Sequence, residues 1–197
     1  MHLIDKYNED ESISFDTYLD EELTNLTFKL DSIEEVTFQK CKFQHVIFRD
    51  LYMEQITFLN CEFVNCYFIH VSAKNIHFLD SKLTDVVFDD GKIRDLKIDD
   101  SFLQFCSFSK MKLNDVAVNA RLLSVTFEAL ELSSCDFLTS SFEDFKVVEL
   151  DCENVLFQNA KFISITGDIT SFKGATLSME QAIDLVIGMG VQIKEFL

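Results

Sequence analysis

The chain has 197 residues, 48% of them hydrophobic, with 21 Phe, 5 Gly and neither Pro nor Trp; this length suits one domain or at most two, and the apolar fraction excludes a disordered chain. Its 34 Asp and Glu against 17 Lys and Arg leave a net charge of -17, which opposes direct contact with nucleic acid or anionic lipid and favours basic partners. No run of 18 apolar residues and no basic-then-apolar leader occurs, so no membrane span is expected and the location is expected to be cytoplasmic.

The apolar residues follow neither the helix period of 3.6 nor the strand period of 2; they recur every five residues. Along residues 1–25 the centres Ile13, Tyr18 and Leu23 already keep this spacing, but the position two residues earlier holds Glu11, Asp16 and Glu21. Acids at an inward position are costly to bury. Residues 1–25 are therefore expected to form an acidic N-terminal cap that closes the first coil and blocks edge pairing.

From residue 26 to 177 the repeat is continuous. Stepping by five from Phe28 to Val118 meets nineteen apolar centres, among them Phe38, Phe48, Phe58, Phe68, Phe78, Phe88 and Phe108. The register slips by one within 119–123 and resumes as Leu122, Phe127, Leu132, Phe137, Phe142, Val147, Cys152, Phe157 and Phe162, broken only by Gly167. Two residues before most centres lies a small or aliphatic residue such as Val36, Cys41, Val46, Ile56, Cys61 or Cys66. A unit that buries two of five positions cannot run on as a flat strand, because strict alternation would be needed, so it bends once per unit. Four bends close a square, and a further period of twenty follows: Phe28, Phe48, Phe68, Phe88, Phe108 and Phe127 fall on one wall, whereas Ile33, Met53, Ala73, Ile93, Leu113, Leu132 and Cys152 fall on a wall that gets no Phe until late.

Residues 178–197 change character. Ser178 with Gln181 forms a capping box, Met179 to Ile187 reads as a helix, and Gly188 or Gly190 ends it. The helix and the tail behind it leave an apolar end, with Met179, Ile183, Ile187, Val191, Ile193 and Phe196 as the expected contact between two copies of the chain.

The segments CKFQHVIF (41–48), CEFVNCYF (61–68) and CDFLTSSF (135–142) resemble the pentapeptide-repeat family, whose units centre on Phe or Leu with a small residue two positions earlier. The resemblance implies an all-β fold, a right-handed quadrilateral parallel β-helix with a short C-terminal capping helix. The final segment, GATLSMEQAIDLVIGMGVQI, also looks like the C-terminal end of the Qnr and MfpA quinolone-resistance type, which implies a tail-to-tail homodimer. Those proteins bind type II topoisomerases, DNA gyrase and topoisomerase IV, in place of DNA. The chain departs from the Gram-negative Qnr proteins in having no loop projecting from the coil, which brings it closer to loop-free members that inhibit.

Nothing in the sequence marks a catalytic site. No phosphate-binding, dinucleotide or nucleophile-elbow motif occurs, and Asp89 with Asp90, Asp99 with Asp100, or Glu143 with Asp144 fall at outward positions where solvated charge is the expected role. Cys41, Cys61, Cys66, Cys106 and Cys135 sit at the small inward position and Cys152 at a centre, so they are expected to be core fillers. The histidines share no ligand spacing with them, and no metal or cofactor is expected. Acids gather on the Phe-poor wall: Asp31, Glu34, Glu35, Glu54, Asp95, Asp115, Glu131, Asp151 and Glu153, diluted by Lys74, Lys92, Arg94 and Lys112. Seventeen net charges along roughly 36 Å of rod is about one per 2 Å, close to the one per ~1.7 Å of duplex DNA. That density lets the rod imitate a DNA segment, and the Qnr and MfpA resemblance implies that such a mimic acts on a topoisomerase; a general protein-interaction scaffold is the alternative.

Overall fold

A chain of L-residues that must turn about 90° after every fifth position needs a bend short enough to fit between two inward side chains. The computed structural model, which describes residues 12–167, 169–188 and 190–194, makes that bend with single residues in the left-handed conformation. Twenty-seven non-glycine residues have positive φ, between 48° and 59° except for Leu138 at 37°, and from Glu35 to Asp115 they occur at every fifth position without a gap. Sixteen of the 27 are Asp, Asn or His, the residue types that tolerate this conformation best.

Four bends return the chain to its starting wall one layer higher. Ser32, Tyr52, Ser72, Lys92 and Lys112 are therefore parallel partners, each twenty residues from the next. In each regular coil a strand of eight residues covers two walls, for example Ser32–Gln39 or Tyr52–Leu59, and two strands of three residues, for example Lys42–Gln44 and Ile47–Arg49, cover the others. We name the walls by their centres: A through Ile33 and Met53, B through Phe38 and Phe58, C through Phe43 and Phe63, D through Phe48 and Phe68. The result is a four-sided parallel β-helix of about eight coils.

The coil starts earlier than the sequence suggested. Ser12–Leu19 pairs residue for residue with Ser32–Gln39, and Ile13, Tyr18 and Leu23 are buried, so residues 12–25 are a layer of the β-helix and not part of a separate cap. The acids that argued against this are only half-buried in this end layer, and the Asp16 carboxylate accepts the Thr17 N–H at 2.9 Å. Glu11, with the rest of residues 1–11, lies outside the described residues. One more acid is kept out of the core by a local irregularity: before Ile33 the chain turns Leu30 inward and leaves Asp31 exposed.

The core is a column of rings. On wall D, Phe28, Phe48, Phe68, Phe88 and Phe108 stack with centroids 4.5 to 4.7 Å apart and planes within 11° of parallel. Rings of neighbouring walls meet edge to face, as Phe58 does with Phe63 at 5.1 Å and 82°. Both geometries suit the aromatic quadrupole and add to the burial term. The slip interrupts the stack. Asn119 and Ala120 oppose Asp99 and Ser101, so the bend at Asp100 has no counterpart above it, and Phe108 meets Phe127 at 82° instead of face to face. At this level the centres are Ile98, Leu103, Leu113, Val118 and Leu122, and they leave an apolar cavity of about 20 Å³. A pocket this small with no polar lining stays dry.

The column closes at its far end where Gly167 takes the wall D centre. Its φ is +152° and an added Cβ would lie 2.3 Å from the Val147 carbonyl oxygen, so no larger residue fits. Helix α1, Met179–Gly188, then covers the last coil. Its capping box forms as expected, with Ser178 N–H donating to Gln181 Oε1 at 2.8 Å and Gln181 N–H donating to Ser178 Oγ at 3.2 Å. Gln181 is buried and donates Nε2–H to the carbonyls of Phe157 and Ala160, which ties the helix to the coil. Gly190, at φ +84°, is the residue that ends the helix.

Phe63 touches the rings of Phe43, Phe58, Phe68 and Phe78. Phe63→Ala is expected to cost about 3 to 5 kcal/mol in urea unfolding, whereas Val118→Ile, which adds one methylene beside the cavity, is expected to stabilise by up to ~1 kcal/mol. A loss below about 1 kcal/mol for Phe63→Ala would show that the ring column is not the main source of stability.

Candidate interaction surface

The interior is taken up by the ring column, so any function of the coil lies on its outside, at the bends and at the two outward positions of each unit. Among the 27 left-handed residues, eleven are acidic. Five of these are consecutive: Asp80, Asp85, Asp90, Asp95 and Asp100 occupy every bend of one full coil and form a girdle of carboxylates round the rod. Asp80, Asp90 and Asp100 are exposed, and Asp89 and Asp99 beside them add two more acids. Grouping acids by wall misses this girdle, because its members lie on different walls. Its signal in the sequence is the recurrence of Asp two residues after each centre.

The nine acids expected on wall A are all at least partly exposed, but they do not form one continuous strip. In the ladder, Glu34 faces Glu54 at one end, Lys74, Lys92, Arg94 and Lys112 fill the middle, and Asp115, Glu131, Asp151 and Glu153 gather at the other end. Three of the nine are paired with those cations: Glu54 with Lys74 at 2.9 Å, Asp115 with Arg94 at 3.6 Å and Glu131 with Lys112 at 2.8 Å. The Tyr52 hydroxyl, and after it Lys74, hold the Glu54 carboxyl below its usual range. Such exposed pairs contribute little to stability, yet they remove charge from the face. Asp31, Glu34, Glu35, Asp95, Asp151 and Glu153 make no ion pair among the described residues. Glu131, Asp151 and Glu153 come together, with Lys112, Asn114 and Ser133, around a shallow groove of about 300 Å³.

In each carboxylate pair that acid-base chemistry would need, one member (Asp90, Asp100 or Asp144) is an exposed bend residue and the other (Asp89, Asp99 or Glu143) is half-buried beside it, and Asp99 accepts from His77 Nε2 at 3.0 Å. All six cysteines are buried free thiols. Burial pushes the Cys106 and Cys135 thiols up to about 12 and Cys152 to about 11; Cys61 is raised by its hydrogen bond with Cys41 and then by burial. Thiols held protonated in this way fill space and do not act as nucleophiles. Among the described residues no three His, Cys, Asp or Glu side chains are placed to hold a metal ion, and no helix is long and apolar enough to cross a membrane.

Helix α1 presents its second face to solvent. Met179 is 82% exposed, and Ile183, Ile187, Val191 and Ile193 are exposed beside it. Phe196, expected in the same cluster, lies outside the described residues.

No protein-family model matches the chain, and no curated protein matches it. Solved structures of similar shape include QnrB1, a plasmid-mediated fluoroquinolone resistance protein, at 14% identity with a TM-score of 0.37, covering 89% of this chain and 100% of that one. HetL, a pentapeptide-repeat protein involved in heterocyst differentiation regulation from the cyanobacterium Nostoc sp. strain PCC 7120, has 11% identity and a TM-score of 0.46, with 90% and 91% covered. A protein of Parabacteroides merdae with a provisional glycosyl-hydrolase assignment has 12% identity and a TM-score of 0.31, with 89% and 88% covered.

If the girdle aspartates are there for backbone conformation, Asn serves the fold equally well. The variant with Asp80, Asp85, Asp90, Asp95 and Asp100 all changed to Asn is expected to melt within a few degrees of the parent or above it. The matching five-Ala variant is expected to lose about 1 kcal/mol per bend, because Ala has no such tolerance of positive φ. Equal melting of the two variants, followed by circular dichroism, would remove the conformational account of the girdle.

Proposed function

We propose that this chain, whose five-residue repeat and four-sided β-helix are those of a pentapeptide-repeat protein, is a protein-interaction rod that imitates the charge of a DNA segment and occupies the DNA-binding surface of a type II topoisomerase, DNA gyrase or topoisomerase IV. The observation that carries this reading is the girdle of aspartates at every bend from Asp80 to Asp100 on a chain of net charge -17. Eight coils at ~4.8 Å make a rod of roughly 38 Å with about one net negative charge per 2 Å, against one per ~1.7 Å in duplex DNA. Basic side chains arranged for phosphates would meet carboxylates, giving fast, salt-sensitive association. The acids Asp31, Glu34, Glu35, Glu54, Asp95, Asp115, Glu131, Asp151 and Glu153 contribute to the same field, Asp151 and Glu153 being two that form no ion pair among the described residues.

A general interaction scaffold is the second reading, and the cations in the middle of wall A favour it. A surface shaped only to replace phosphates has no use for Lys74, Lys92, Arg94 and Lys112 in a row across its centre. We further propose that the apolar face of α1, with Met179, Ile183, Ile187, Val191 and Ile193, pairs with its copy in a homodimer, because an exposed apolar cluster on so charged a rod is best covered by an equally apolar surface.

Titrating the protein into a gyrase supercoiling reaction, with and without ciprofloxacin, is expected to change either supercoiling or drug-induced cleavage. The five-Asn girdle variant is expected to need at least tenfold more protein for the same effect. No response at any concentration, with the fold intact, would reject the topoisomerase target and leave the scaffold. Separately, Ile183→Asp with Ile187→Asp is expected to halve the mass seen by light scattering; an unchanged mass overturns pairing through α1.

A further inference from the structure

Two uncharged runs of this highly acidic rod lie on successive coils. Residues 101–109 and 122–127 are uncharged throughout, and the two segments stack in register, with Leu103 on Leu122 and Phe108 on Phe127. At the bend between walls C and D the column of left-handed residues runs Asn25, His45, Asn65, Asp85, Phe105, Ser124 and Asp144. Phe105 is the exception. A bulky aromatic is poorly suited to φ of 56°, and its ring is 52% exposed, so the residue serves neither the bend nor the core. Its amide donates to Leu123 O at 2.9 Å, which fixes the half-buried Leu123 in the coil above. Phe102, also half-buried, lies two positions inside the same wall with the Arg121 guanidinium carbon 5.3 Å from its ring centre. Arg121 is held in turn by Glu143 at 3.5 Å.

We infer that Phe105, Phe102 and Leu123 form the apolar centre of a second binding surface, and that its partner is a protein segment presenting a large apolar side chain flanked by basic residues. The arrangement has an aromatic centre and a charged rim, the anatomy of a protein interface. The rim is mixed: Asp85 lies one coil below Phe105 in the same column, Asp144 lies above and Glu143 borders Leu123, whereas Lys82 lies below Phe102 and Arg121 above it. Acids remain in excess there, on a rod whose net charge is -17, and this sets the partner's sign. A second copy of the chain docking here about a two-fold axis would set these acids against themselves, and an anionic membrane or nucleic acid would be repelled by the whole rod. This surface does not depend on a topoisomerase target, and its test contains none.

The test uses the full chain and three fluorescein-labelled twelve-residue peptides in fluorescence polarisation at physiological salt. One alternates Arg with Leu and Trp, one replaces Leu and Trp by Ser, and one replaces Arg by Glu. The Arg/Leu/Trp peptide is expected to bind at least tenfold more tightly than either control. Phe105→Asn, which places a residue suited to positive φ at the bend, is expected to weaken that binding at least tenfold while the melting temperature stays at or above that of the parent. Phe15→Asn changes the other left-handed Phe, in the first coil, and is expected to leave binding unchanged. Binding within twofold of the parent after Phe105→Asn, equal affinity for the Ser or Glu peptide, an equal loss with Phe15→Asn, or absence of binding at millimolar protein would each overturn the inference.

Discussion

A chain of L-residues avoids positive φ, and this rod requires it at every fifth position. The left-handed bend costs most residues on the order of 1 to 2 kcal/mol, less for Asn and Asp, whose short polar side chains hydrogen-bond locally. The fold therefore survives only where each bend is both tolerated by its residue and over-determined by its neighbours. Neighbours do most of this. Many bend residues donate their amide to the coil above, as Lys40 does to Leu59 O at 2.8 Å and His70 to Asp89 O at 3.0 Å. On either side the chain is pinned by inward residues that touch the ring column. Bends such as Lys40, Gln55 and Lys110, with no special tolerance of the conformation, are held by that scaffold alone.

The interior and the bends fail together at one level. Between Ile93 and Leu122 the aromatic centres give way to aliphatic ones, the stack on wall D turns from parallel to perpendicular, one bend is deleted after Asp100, and a small dry cavity opens. Rings missing inside are met by rings outside, Phe102 and Phe105, on the same coil. A flat stack of phenyl rings enforces the twenty-residue period, because each ring must sit above the last. Aliphatic side chains pack without that demand, so a layer of 19 residues is cheapest where they predominate.

Most of this was legible in the residues, because a five-residue spacing of apolar centres admits few geometries and a twenty-residue spacing of Phe picks out one. The slip was visible for the same reason: Val118 and Leu122 are four apart, and the observed change of register falls between Asn119 and Ala120. The start of the coil was hidden by Asp16 and Glu21, which look prohibitive when treated as buried but sit half-exposed in an end layer. Exposure at an end depends on what is stacked beyond it, and periodicity carries no information on that. Wall assignments carry no information on lysines reaching across layers, since a vertical pair such as Lys112 with Glu131 joins residues 19 apart. The uncharged patch leaves no mark in the period of five, because Phe105 lies at a bend outside the inward set.

The bend also bears on whether the charge has a purpose. Any position with positive φ is served as well by neutral Asn as by Asp, and the chain uses Asn for it at residues 25, 60, 65, 75 and 154. The fold therefore accounts for a polar residue at each bend but not for its charge. From residue 80 to 100 Asp occupies five bends in succession, with Asp89 and Asp99 alongside, and so many like charges round one coil repel each other and weaken the compact state. Imidazole contacts offset only a little of this, with His70 Nε2 3.4 Å from Asp90 and His77 Nε2 3.0 Å from Asp99. A sequence that had only to fold would have gained by substituting Asn. That it carries carboxylates where amides would serve the backbone as well is what the proposed docking on a basic partner would account for, since the fold itself does not.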